Sequence, residues 1–121
     1  MTLWDVMYDD WQMECCGTPF SVGDEVAWQL EGGPDLYSVE RHGEEAPDTV
    51  GRVRSIRMVT RGFARAAGTN TFEPVPGEEW LRPVEACPKW FTDPVEGSWE
   101  QGYFRREVGV LVVLDVREEA G

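Results

Sequence analysis

Apolar residues in this chain alternate with polar ones in short runs, and they seldom recur at helical spacing. Leu3-Trp4-Asp5-Val6-Met7-Tyr8 keeps a period of two, Asp9-Asp10 supplies a polar turn, and Trp11-Gln12-Met13-Glu14 resumes the alternation. The opening therefore predicts a hairpin with Trp11 and Met13 on one face. Gly23-Asp24 then turns the chain into Glu25-Val26-Ala27-Trp28-Gln29-Leu30, a strand that points Val26, Trp28 and Leu30 inward. Residues 31–49 hold Gly32-Gly33-Pro34, Gly43 and Pro47 among acidic side chains, the composition of a long loop. Within it, Leu36-Tyr37-Ser38-Val39 fits one helical turn or a short strand.

Regular structure resumes over residues 50–60, where Val53 is out of phase with Ile56 and Met58, and a bulge near Ser55 reconciles the two. Residues 73–102 carry five of the eight prolines and three of the six tryptophans. Proline cannot donate to a ladder, so this composition predicts a segment wrapped over the core with one short strand at 80–84. The finish, residues 106–116, is rich in β-branched side chains and apolar on both faces from 108 to 114, which predicts a central strand buried on both sides. Five to seven short strands, turns bearing Gly or Pro, and no internal repeat predict a mostly β single domain over residues 1–121. Its architecture is expected to be a small barrel or strongly bent antiparallel sheet with long loops.

The composition agrees with one folded core. A chain of 121 residues with 41% apolar and 12% aromatic side chains buries roughly two thirds of its unfolded surface. No signal-peptide pattern opens the sequence, and the longest apolar run, 108–114, is too short to span a bilayer, so a soluble, cytoplasmic protein without membrane contact is expected. The formal charge of −12 disfavours non-specific nucleic-acid binding, which needs cations to displace counterions; a solvated acidic surface is the plainer expectation, and steering toward a basic protein partner the alternative. Three cysteines, an odd number, argue against a secreted disulfide framework, and reduced thiols fit better.

Cys15, Cys16, Cys87 and the sole imidazole, His42, together number the four soft ligands of a structural zinc site. The alternative thiol chemistry would have Cys15 or Cys16 activated by His42, although Asp9, Asp10 and Glu14 oppose a thiolate nearby. The carboxylate pairs Asp9-Asp10, Glu44-Glu45 and Glu78-Glu79 read as solvated turn residues with ordinary pKa values. Five of the eleven basic residues, Arg52, Arg54, Arg57, Arg61 and Arg65, fall within fourteen positions. They are the candidate anion or partner contacts, with pairing to acids of the same chain as the plainer expectation. Trp4 and Trp28 read as core, and Trp90 and Trp99 as interface candidates.

The segment Trp11-Gln12-Met13-Glu14-Cys15-Cys16-Gly17-Thr18-Pro19-Phe20, continued by Val22-Gly23-Asp24-Glu25-Val26-Ala27-Trp28 and by Gly51-Arg52-Val53-Arg54-Ser55-Ile56, resembles a family of short actinobacterial proteins without an assigned activity. The Gly-Asp turn into Val-x-Trp followed by Gly-x-Val-x-x-Ile is also similar to the second and third strands of SH3-like small barrels. That resemblance implies a binding module, so a non-catalytic protein-binding role is expected first, a small structural zinc protein second and a thiol-dependent enzyme third.

Overall fold

A computed structural model describes residues 2–40, 48–94 and 98–117. Strand β1 (Thr2–Asp9) leads into helix α1 (Asp10–Cys16), followed by β2 (Phe20–Ser21), β3 (Glu25–Trp28), β4 (Leu30–Gly32) and β5 (Tyr37–Val39). The second half is built from β6 (Thr49–Arg65), β7 (Phe72–Val84), β8 (Ala86–Cys87) and β9 (Tyr103–Val116). The main sheet runs β3-β6-β9-β1-β5-β4, with β7 also on β6, and β2 pairs with β8 separately. Only Gln29 separates β3 from β4, so one bent segment supplies both ends of the sheet and brings the wall close to a closed barrel. Its carbonyl accepts the Glu40 N–H at 2.9 Å, just past β5. The β1–β5 pair is parallel, which makes the sheet mixed rather than wholly antiparallel.

The even-numbered residues of β9 and β1 face inward together. Val110, Val112 and Leu114 lie beside Tyr8, Val6 and Trp4 across the ladder, and Val53, Ile56 and Met58 of β6 complete this wall. Trp28, Val39, Met13, Phe20, Cys87 and Phe91 fill the space it encloses. Trp28 is core as expected, whereas Trp4 is half-buried and stacks on Tyr37 at 4.3 Å between ring centres. The phase change in β6 is a bulge: Val53 faces Leu114 but Ser55 faces Val113, leaving Arg54 as the extra residue. One inserted residue thus keeps Val53 and Ile56 on the same face. The turn before β3 locks onto this point, since Gly23 N–H donates to the Val53 carbonyl at 2.8 Å and Val53 N–H to the Asp24 carbonyl at 2.9 Å.

Three expectations need correction. The opening is not a hairpin, because residues 10–16 form α1, with Trp11 exposed while Gln12 and Met13 are buried. Seven residues are too few for a 3.6-residue period to stand out against an alternating one. Residues 72–84 are not a wrap with a short strand but a thirteen-residue strand paired with β6. An edge strand accommodates Pro74, Pro76 and Pro83 because only one of its sides must donate to the sheet. Strand β9 is central but sealed on one face only, with Leu111 and Val113 half-buried on the other.

Gly109 marks the tightest point of the wall. Its φ is +150°, and a side chain there would strike the Tyr8 carbonyl and lie 3.1 Å from Asp9 Cα. Both the backbone conformation and the close approach require glycine. Gly109→Ala is expected to lower unfolding free energy by roughly 1–3 kcal/mol, measured by urea denaturation, and an unchanged midpoint would contradict this account.

Candidate interaction face

The face of the wall opposite the core is the chemically unusual surface. Met7 faces Leu111 and Asp5 faces Val113 across β1 and β9. Arg57 faces Leu111, and Val59 faces Leu81, across β6 and its two neighbours. Asp5, Met7, Asp35, Leu36, Val59, Arg61, Glu79 and Leu111 enclose a trough of about 170 Å³. Its floor is apolar, and Leu3, Leu36 and Leu81 around it stay 54%, 48% and 41% exposed. Three carboxylates and one guanidinium line it. Arg61 is bound to Glu79 at 2.8 Å, and neither Asp5 nor Asp35 takes part in an ion pair among the described residues. A larger depression of about 330 Å³ holds Glu25, Asp115, Arg52 and Arg117, where acids and bases balance and Arg117 pairs with Glu25 at 3.1 Å.

The arginine row is largely occupied within the chain. Arg52 donates to the Gly23 carbonyl at 2.7 Å, Arg65 to the Trp99 carbonyl at 2.7 Å, and Arg54 sits 3.9 Å from Asp115. Arg57 sits on the outer face opposite Leu111, and Arg61 is the member that lines the trough. Trp99 is built into an aromatic group with Phe72 and Phe104, at 5.5 and 4.3 Å between ring centres. Trp90 is 69% exposed beneath the Lys89 ammonium.

The expected zinc ligands are placed differently from one another. Cys15 and Cys16 are joined as a disulfide at the exposed end of α1, which corrects the expectation of reduced thiols at these two positions. Strand geometry would send neighbouring side chains to opposite faces, whereas a helix separates them by only about 100°. While that bond stands neither sulfur is a thiolate, so a site using both would first require reduction. Cys87 is buried, and that burial pushes its thiol up to about 12. His42 lies outside the described residues, and no group of three or more His, Cys, Asp or Glu is placed to hold a metal among the described ones.

Where β1 meets α1, the acidic pair is not the solvated turn its sequence suggests. Asp10 is buried and bonds Arg106 of β9, and buried Gln12 donates to Glu40 at 3.1 Å. Burial raises the Asp9 carboxyl above its usual 3.8, the Asp10 charge adds to this, Arg61 opposes it and Glu40 reinforces it. Lys89 donates to the Met13 and Gly17 carbonyls at 2.7 and 3.1 Å, placing a cation at the helix C-terminus, and Phe91 N–H donates to Glu14 at 3.1 Å. The trough residues Asp5, Met7, Val59 and Leu111 were not singled out by motif. For Met7 and Leu111 the signal was the second parity of β1 and β9, apolar where a one-sided strand would be polar.

Two measurements follow from these placements. The folded protein holds the Asp9 proton more tightly than the unfolded chain, so stability falls as pH rises from 3.8 through the raised folded value, and this contribution is flat above it. Asp9→Asn is therefore expected to be more stable than wild type at neutral pH, with the advantage shrinking toward acid in urea titrations. A maleimide titration should label Cys87 only upon unfolding, and Cys15 and Cys16 in the folded protein only after reductant is added. Rapid labelling of Cys87 in the native state would contradict its burial.

No helix among the described residues is long and apolar enough to cross a membrane. No curated protein and no solved structure matches the chain. A family described as of unknown function, DUF6578, matches residues 2–116 and so takes in β1 to β9, the barrel wall and the outer trough alike; the chain belongs to that family.

Proposed function

We propose that this protein is a non-catalytic interaction module that seats a protein partner on the outer face of its barrel wall. The observation that carries the reading is the apolar outer face, where Leu3 and Leu81 are exposed and Leu111 and Val113 half-buried around a trough with Met7 and Val59 buried at its floor. Exposed contiguous apolar surface rimmed by polar groups is the usual mark of an interface. The rim selects the chemistry. Asp5 and Asp35 place negative charge at the rim of a chain whose net charge is −12, which favours an apolar segment carrying a basic side chain and speeds its approach. A long cationic side chain would lay its hydrocarbon stem on Leu36 and Leu111 while its head reaches the carboxylates.

The similarity of residues 23–28 and 51–56 to strands of SH3-like barrels supports the same class of role, since such barrels serve mostly as binding modules. It does not choose the ligand.

A displayed library of random peptides tests this reading. Wild type is expected to enrich apolar peptides bearing Lys or Arg, and Leu36→Lys or Leu111→Thr to weaken the selected peptides by about tenfold or more, near 1.4 kcal/mol. Leu36 is half-exposed, so its substitution should leave the fold intact by circular dichroism. Enrichment of no peptide, or equal binding by both variants, would defeat the proposal.

A further inference from the structure

Strand β7 pairs with β6 along one side, and no described strand occupies the other. Pro83 faces Arg57 in that ladder and has no N–H to give, so this pair is a non-hydrogen-bonded one. Alternation then makes Arg82 and Trp80 the residues bonded to β6. The N–H and C=O groups of Leu81 and Glu79, with the Pro83 carbonyl, point away from the sheet. Residues 79–83 are all exposed, Trp80 to 40% even with the Arg105 guanidinium 4.3 Å over its ring. Native edges of this kind are normally blunted by proline, charge or a covering element. Here Pro74, Pro76 and Pro83 bracket the edge and leave 79–82 available.

We propose that this edge pairs with the same edge of a second copy of the chain, antiparallel and two-fold symmetric about Leu81. Leu81 then lies opposite the partner subunit's Leu81 and the two exchange backbone hydrogen bonds, while each Glu79 N–H donates to the Pro83 carbonyl across the dyad. Pro83 has no N–H to return to the Glu79 carbonyl, so the ladder carries two bonds at Leu81 and one at each Glu79, and it ends at the proline. On one face the two Leu81 side chains meet and continue the apolar strip of Val59, Leu111 and Met7 into the second copy. On the other face Trp80 lies opposite Arg82 of the partner subunit, a cation–π pairing repeated by symmetry. Arg82 is 67% exposed and paired with Glu107 at 3.7 Å, an exposed ion pair it exchanges for the indole.

Charge favours like over unlike at this edge. Residues 79–83 contain one acid, Glu79, and one base, Arg82, and are formally neutral within a chain of −12. Two copies therefore meet there without local repulsion, and a strongly basic peptide gains little from it. A register centred on Trp80 instead would set Leu81 against Glu79 and lose the apolar contact.

Sedimentation of the full chain over rising concentration, at physiological salt, tests the proposal. A monomer–dimer equilibrium is expected, weakened at least about tenfold by Leu81→Pro. That substitution removes an N–H that faces away from β6, so the monomer should keep its circular dichroism spectrum. Leu81→Lys provides a second disruption should proline disturb the strand. Leu81→Cys should form a covalent dimer on mild oxidation, because facing residues of a hydrogen-bonded pair have Cα atoms about 5.5 Å apart, within disulfide reach. Trp80→Cys should not. A monomer at all concentrations, a dimer indifferent to both Leu81 substitutions, or equal cross-linking through Trp80→Cys would overturn it. Leu36→Lys is expected to leave the dimer unchanged, so this result stands or falls apart from peptide binding at the trough.

Discussion

Strand β9 is paired on both edges and apolar on both faces, and the rest of the architecture adjusts to that constraint. Pairing with β6 and β1 satisfies its backbone. Its two sets of side chains then compete for cover. Val110, Val112 and Leu114 obtain it from Tyr8, Trp28, Val39, Ile56 and Phe91, whose burial contributes about 1.5–3 kcal/mol for each large side chain. Leu111 and Val113 obtain it only in part, because the described residues cover Met7 and Val59 on that side but leave these two half-buried. The exposed ion pairs Arg61–Glu79 and Arg117–Glu25 are worth about 0–1 kcal/mol each. They tune the rim, while the interior holds the barrel.

The junction of β1 and α1 shows how the interior governs local structure against local preference. Asp9, with β-region φ and ψ, precedes the helix without a side-chain cap, and the helix has only seven residues. Isolated, such a helix would not form. It persists because Met13 enters the core, Asp10 reaches Arg106 on β9, and Lys89 binds the carbonyls at its far end. The cost is a half-buried Asp9 beside a second carboxylate, which the fold tolerates by holding its proton more tightly. The same short helix brings Cys15 and Cys16 within bonding reach, an outcome that strand geometry would have forbidden.

What could be read from the residues was whatever a single strand decides for itself. Val26 and Trp28, the misphase between Val53 and Ile56, and the apolar finish each announced their element, and the bulge falls at Arg54, one residue from where the pattern placed it. What could not be read depended on a neighbour. Pro74, Pro76 and Pro83 looked like strand breakers until β6 made β7 an edge, where their missing donors cost little. The doubled apolarity of β9 looked like full burial, since sequence reports the character of two faces but not how much chain remains to cover the second. The solvated look of Asp9-Asp10 failed because Arg106, ninety-six residues from Asp10, supplies the charge that buries it.

A single shortage of covering chain explains why both open surfaces lie where they do. The two ends of the sheet, β3 and β4, are consecutive parts of one bent segment, so the wall comes close to closing there. Strand β7 has an open side among the described strands, and it lies along residues 56–65 of β6, beyond the stretch 49–52 that β3 covers. Its inward and outward neighbours on the sheet are Thr60 and Val59, and Val59 belongs to the floor of the trough. The free edge and the half-covered face are therefore contiguous through Leu81. A surface that joins unpaired backbone to exposed leucine is costly to leave in water and prone to uncontrolled association. The prolines at its ends leave only residues 79–82 of that edge with open backbone, and Glu79 and Arg82 make this short stretch formally neutral.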